Sequence, residues 1–481
     1  MIMFPPFEPD KSQFNTSAGD NLLNCLPRAD GWGPMAQFIA VSDALPTPCL
    51  GAVFVRSYGG SFTVIAGTAT DLYKLNTATS PYSWDSISKS AGAYAVPVND
   101  KWTFTTFGDR LIAHNLGGAT QFYDITAGGS FADLPGAPIA KYSCAAGDFL
   151  MFGYLDGEAS SVQWSGINNS EDWVIGKNGS DKQLLPEGRE IMAMIDNPRG
   201  AIVVQRKAMQ FMQFSPNSGY TFTRSVGNSS RGSIAPHSIV EIGSGDFLYL
   251  SEDGFFRGVE GQPIGHARVD KWFYDNIDPN YLEDVRGMAD PFEKIVWWRF
   301  KLINGTNFLL GYSWGHNRWC YSNVDVNEAA QLAAPGVAWD GLSALYASID
   351  DVDVPFDSRL FKGGAPVFAG FTGDNKLAFA VGATLAATME TASVQLSRGG
   401  RSFVNGCRVI GDGSGTVSVG VAADHGGSFT YKTGVTKSPR SGIYHTRADG
   451  LLHRFKLDIP ASENWDVISS IEPIFGGSGG L

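Results

Sequence analysis

Short apolar runs separated by tight polar turns recur along the first three quarters of the chain. Residues 52–58 (AVFVRSY), the turn Gly59-Gly60 and residues 61–66 (SFTVIA) carry a hairpin signature, with residues 72–75 (LYKL) as a third strand. The plan repeats with WTFTTF, a turn at Gly108-Asp109, RLIAH, Gly117-Gly118 and TQFYDI. Further copies centre on Gly147-Asp148 with FLMFGYL, on Pro198-Arg199-Gly200 with AIVVQ and AMQFMQF, and on Gly245-Asp246 with FLYLS and FFRGV. Another has residues 291–294 (PFEK) followed by IVWWRFKL, NFLLGYS and RWCYS. The turn centres recur about every 40–50 residues, the period of a four-stranded propeller blade. Runs apolar on both sides, such as FLYL and IVWW, fit strands covered by a neighbouring blade on each face.

One helix is expected within residues 276–290 (NIDPNYLEDVRGMAD), with Asp278 as N-cap, Pro279 in the first turn and Tyr281, Leu282 and Val285 on one side. After about residue 375 aromatic residues thin out and Thr, Ser and Gly increase. Residues 385–396, 402–411, 416–422, 428–432 and 451–459 read as strands of an antiparallel sandwich. In the last of these Leu452, Arg454, Lys456 and Asp458 alternate with His453, Phe455, Leu457 and Ile459. The expected architecture is all-β, a β-propeller followed by a C-terminal β-sandwich: an extended segment over 1–50, the propeller over 51–375 and the sandwich over 376–481.

Composition sharpens this picture. The 481 residues include 58 glycines and 24 prolines, together about 17% against about 12% in average chains, so long helices are excluded as the main component. Charged residues are only 17%, while 43% hydrophobic content suffices for large cores. The formal net charge of −12, without a basic run, argues against a protein that grips nucleic acid by its phosphates. Cys25, Cys49, Cys144, Cys320 and Cys407 are scattered and odd in number, which points to buried free thiols rather than a disulfide framework or zinc site. Neither a signal peptide nor a membrane segment is expected, because MIMFPPFEPD lacks a basic n-region and no run reaches about 18–20 apolar residues.

Candidate chemistry is sparse. The histidines, His114, His237, His266, His316, His425, His445 and His453, form no HxH or HExxH pattern. The stretch Gly411-Asp412-Gly413-Ser414-Gly415 has the look of a phosphate loop but lacks the following Lys and helix, and reads as a hairpin turn. Residues 423–429 (ADHGGSF) resemble the Asp-box turn of sialidase-type propellers, itself a folding element. Asp350, Asp351 and Asp353 could offer oxygen ligands to Ca²⁺ but lack an EF-hand pattern and read as a solvated loop. Trp297-Trp298, Trp314 and Trp319 are assigned to blade packing. No catalytic, cofactor-binding or metal residue is therefore expected, nor any cofactor, and the chain is read as not an enzyme.

The opening segment LNCLPRADGWGP (23–34), a propeller of this size and a sandwich ending in LLHRFKLDIPASENWDVISSIEPIF (451–475) resemble the tail hub or nozzle proteins of short-tailed bacteriophages (podoviruses), including the packaged-DNA stabilisation proteins. The resemblance implies a structural virion protein, made in the host cytoplasm and placed in the virion tail. It also implies a homo-oligomeric, hexameric ring below the portal and adaptor that continues the DNA channel, retains packaged DNA and anchors fibre, spike or needle proteins. An acidic wall suits that role, since a channel that bound phosphates would impede DNA ejection. The alternatives are a carbohydrate-active or carbohydrate-binding propeller of the sialidase or glycosidase kind, and a cellular propeller scaffold.

Overall fold

Glycine-bearing turns fold the chain back on itself into antiparallel meanders. At Gly108 the turn between Thr103–Phe107 and Arg110–His114 needs a left-handed backbone (φ +60°), which glycine adopts without steric cost. At Gly200 (φ +147°) the constraint is also close approach, because an added Cβ would lie 2.0 Å from the Met212 carbonyl oxygen. The computed structural model describes residues 1–477 apart from 13–16, 58, 61, 80, 217–218, 244, 334–347, 349–365 and 399.

Among the described residues, seven four-stranded meanders form a closed β-propeller. Their innermost strands are, in chain order, Ala52–Arg56, Thr103–Phe107, Ala140–Ala146, Ile191–Asn197, Val240–Gly243, Arg286–Asp290 and Glu328–Ala333, and these define blades 1 to 7. The ring closes where the inner strand of blade 7 lies beside that of blade 1. Blade 7 is completed from the far end of the chain. Its outer strand is Ala36–Ala44, which pairs with Lys376–Thr384 through Ala40↔Ala378 and Ile39↔Phe379. Opening the propeller therefore requires breaking a ladder between distant segments.

Apolar side chains fill the gaps between successive blades. Val55, Ile65, Leu111 and Ala113 pack between blades 1 and 2, and Cys144, Met151, Val203 and Met212 between blades 3 and 4. In Ile295–Lys301 the two adjacent tryptophans face opposite ways, as a strand requires. Trp297 stacks on Phe368 of blade 7 at 5.8 Å, whereas Trp298 meets Phe255 of blade 5 at 4.7 Å and Trp319 at 5.9 Å. Each fully buried side chain of this size contributes on the order of 1.5–3 kcal/mol.

The sandwich has two sheets. One contains Cys25–Arg28, Gly31–Pro34, Ile468–Gly477, Ser402–Gly411 and Tyr444–Gly450, with Ile2–Met3 paired to the Ile468–Gly477 strand. The other contains Ala387–Glu390, Leu452–Ile459 and Thr416–Ala422, and it is continuous with blade 6. The link is Leu22–Leu23, which pairs in parallel with the outer strand Arg318–Ser322 and antiparallel with Ala387–Glu390. One core cluster accordingly runs from Phe255 and Trp298 through Leu22 and Met389 to Phe455 and Ile471.

These pairings correct three expectations. Residues 1–50 are not a separate extended segment, since they supply strands to the sandwich and to blade 7. The expected boundary at 375/376 falls inside blade 7, because Lys376–Thr384 is its third strand. The helix expected within 276–290 is a short 3₁₀ turn, Pro279–Asp284, capped by Asp278, whose side chain accepts from the Asn280 N–H at 3.0 Å. It gives way at once to the inner strand of blade 6. An α-helix does occur just before it, at Asp270–Asn276. Its sequence DKWFYDN is aromatic-rich and has no capping residue of its own; Asp10 accepts from the Lys271 and Trp272 N–H groups at 2.8 and 2.7 Å, and this contact with burial of Phe273, rather than propensity, holds it.

Candidate functional site

A propeller brings the first strand of every blade to one axis, so residues far apart in sequence meet there. Lys101, just before blade 2, has its ammonium 2.9 Å from Asp284 and 2.9 Å from Glu328. Arg286 of blade 6 lies 2.7 Å from Glu328, Arg299 lies 2.6 Å from Asp284, and Lys141 of blade 3 lies 3.4 Å from Asp100. Glu328 is 2% exposed and Lys101 8%, so the centre of this network is shielded from water. Burial opposes ionisation of the Asp284 carboxyl, but the charges of Lys101 and Arg299 outweigh it and hold that group below the usual carboxylate range. The network ties blades 2, 6 and 7 together across the axis.

Beside it lies an axial cavity of about 270 Å³ whose lining includes Thr103, Phe104, Tyr142, Met194, His237, Ile239 and Arg286. His237 Nδ1 is 3.3 Å from Arg286 Nη1. Since guanidinium can only donate, Nδ1 accepts and the proton sits on Nε2. Burial drives this imidazole well below 6.5, and the charges of Arg286, Lys101 and Lys141 drive it further. His237 is therefore a neutral ring at neutral pH.

The remaining sequence candidates are not assembled with one another. His114 is buried between blades 2 and 3, with Nδ1 3.0 Å from the Ala140 carbonyl and Nε2 2.6 Å from Ser143 Oγ. Ser143 also reaches Thr105 Oγ1 at 2.7 Å, and the chain of hydrogen bonds joins the two blades. His453 is enclosed in the sandwich core, while His266, His316, His425 and His445 are exposed. In the 411–415 turn, Asp412 accepts from the Asp466 and Val467 N–H groups at 2.9 Å each, clamping the start of the last strand. Residues 424–427 form a tight turn in which Asp424 Oδ1 occupies the space a Cβ at position 427 would need, and Arg454 covers the Phe429 ring at 4.6 Å. Asp350, Asp351 and Asp353 lie outside the described residues. Among the described residues no group of three or more His, Cys, Asp or Glu is arranged to hold a metal, and no helix is long and apolar enough to cross a membrane.

Exposed apolar side chains occur at several places, Val98, Phe292 and Ile303 among them, and two flanks carry several each. The blade 3 loop around Gly179 is stitched to the tip of the blade 4 hairpin by Thr221 Oγ1, which donates to the Gly179 carbonyl at 2.7 Å. This junction brings Val174, Ile175, Phe214 and Tyr220 to one rim, with Ile175 58% and Tyr220 72% exposed. The second flank follows the last sandwich strand, where Met1, Met3, Val467 and Phe475 are exposed. Because the sandwich is built on blade 6, the two flanks lie on different sides of the propeller.

The fold defines the class: an all-β protein, a β-propeller with a C-terminal β-sandwich. The sequence matches no family model and no curated protein. Among solved structures it is similar to the extracellular domain of a hybrid two-component system from B. thetaiotaomicron, at 11% identity over 86% of this chain and 49% of that chain, with a TM-score of 0.39. It is also similar to apo AztD from Citrobacter koseri, at 10% identity over 61% and 81% of the two chains, TM-score 0.33. A third is an ancestral GH74 enzyme, at 9% identity over 80% and 53%, TM-score 0.32. The chain spans about half the length of the first of these. Likeness of this degree concerns architecture and carries nothing about activity.

Proposed function

We propose that the chain is a structural subunit of a short phage tail, assembling head-to-tail into a ring that continues the DNA channel and anchors distal tail parts. The observation that carries this reading is the pair of exposed apolar flanks, one on the rim of blades 3 and 4 and one along the last sandwich strand. Exposed apolar surface of this kind marks association sites, and two different patches on different sides of one molecule suit a heterologous contact, which closes into a ring when the rotation permits. The shared sheet between blade 6 and the sandwich supports the same role, because both flanks then belong to one continuous framework. The formal charge of −12, repeated around a ring, keeps DNA off the walls.

The carbohydrate-active alternative needs two carboxylates, one of them a general acid with a raised pKa. At the axis Asp284 and Glu328 each sit against two cations, and Lys101 and Arg299 hold the Asp284 carboxyl in its ionised form, which is not that of a proton donor. Gold-labelled antibody against this chain, applied to virions and viewed in negative stain, tests the reading. Label confined to the tail supports it, and label on the capsid alone or on no virion component overturns it.

A further inference from the structure

Arg286 is held from two sides: Nε faces Glu328 at 2.7 Å and Nη1 faces His237 Nδ1 at 3.3 Å. Among the described residues its Nη2 has no hydrogen-bond partner, and the residue lines the axial cavity. The Tyr142 and Thr103 side chains line the same cavity, and among the described residues neither hydroxyl has a hydrogen-bond partner. Burial keeps Tyr142 well above its ordinary value, so the hydroxyl retains its proton and donates. Phe104, Met194 and Ile239 line the same cavity, and among the described residues no carboxylate does. Around it, Lys101, Lys141, Arg206, Arg286 and Arg299 are paired with Asp100, Glu190, Glu283, Asp284 and Glu328, so the charge about the cavity is balanced and Arg286 is the cation that lines it. Neutral His237 adds no counter-charge and serves as a strut that fixes the guanidinium.

We propose that the axial cavity is a binding site for a small organic carboxylate with an apolar body, its anionic end on the free edge of Arg286 and the Tyr142 hydroxyl, its body against Phe104, Met194 and Ile239. A fixed guanidinium whose Nη2 is open offers charge-assisted N–H donation to a carboxylate, and convergent polar groups beside apolar side chains are the common form of a small-ligand site. This site is independent of the ring contacts.

The test is isothermal titration of the full chain with sodium benzoate, against benzamide and sodium phosphate at matched ionic strength. Saturable one-to-one binding of benzoate, with none for benzamide, is expected. Tyr142→Phe removes one hydroxyl without touching the ion network and should weaken binding about tenfold, whereas Phe104→Trp fills the cavity and should abolish it. Thermal melts of both variants within a few degrees of the parent show that the fold is kept. The proposal is overturned if benzoate shows no saturable binding up to about 10 mM, if benzamide or phosphate binds as well as benzoate, or if both variants bind unchanged.

Discussion

The interface between blades 2 and 3 makes stability depend on pH through one imidazole. His114 is 1% exposed, its ring lies against Phe152 at 5.4 Å, and both nitrogens are engaged. The Ala140 carbonyl can only accept, so Nδ1 carries the proton and Nε2 accepts from Ser143. Burial lowers this histidine from 6.5 to about 4, against the opposing pull of the Ala140 carbonyl and of Asp100. A folded-state pKa below the unfolded one means that the unfolded chain takes up the proton first. The stabilisation is therefore complete above about pH 6.5 and is lost as pH falls toward 4. At about 1.4 kcal/mol per pH unit the full interval corresponds to about 3 kcal/mol, and about 2 kcal/mol is lost by pH 5. Urea denaturation at pH 7.5 and pH 5.0, on the wild type and on His114→Gln, isolates this group from His237 and His453, which titrate in the same direction. The wild type should lose about 2 kcal/mol more than the variant between the two pH values. Equal losses in both proteins would refute the reasoning.

Further consequences concern the axis, the thiols and the rim. Glu328→Gln removes the carboxylate shared by Lys101 and Arg286 and leaves buried positive charge unpaired, which should cost about 3–5 kcal/mol and lower the melting temperature measured by calorimetry. All five cysteines are free and buried, and burial pushes Cys49 and Cys407 up to about 12, so Ellman's reagent should find no fast-reacting thiol in the native chain and five after denaturation. Replacing Ile175 and Tyr220 by Asp should leave the circular dichroism spectrum unchanged and weaken self-association in sedimentation velocity, because both side chains are exposed in the single chain.

Much of the fold was written in local chemistry. Glycine turns at 108, 147, 200 and 245 mark the blades because a sharp reversal of an antiparallel strand leaves its trace within a few residues. The closing strand Ala36–Ala44 and the threading of Leu22–Leu23 between blade 6 and the sandwich had no such trace, since their partners lie hundreds of residues away. The α-helix Asp270–Asn276 was missed for a related reason: its aromatic residues satisfy a strand pattern equally well, and only tertiary burial decides between them. The axial residues escaped motif reading because a motif is contiguous, whereas this network is assembled once per blade. Lys101, Lys141, His237, Arg286 and Glu328 all sit at or just before the first strand of a repeat. Lining up the repeats on their turns, roughly every 40–50 residues, would have placed these groups in equivalent positions, and that alignment is the signal available in the sequence.

The central claim is that this chain is a ring-forming subunit. Native mass spectrometry of the purified protein, alone and with the adaptor ring that the proposed role calls for, tests it most directly. A single closed oligomer is predicted, of six copies of the 51.6 kDa chain on the proposed tail role, dispersing to monomers when Ile175 and Tyr220 are replaced by Asp. A chain that stays at 51.6 kDa under both conditions would contradict it.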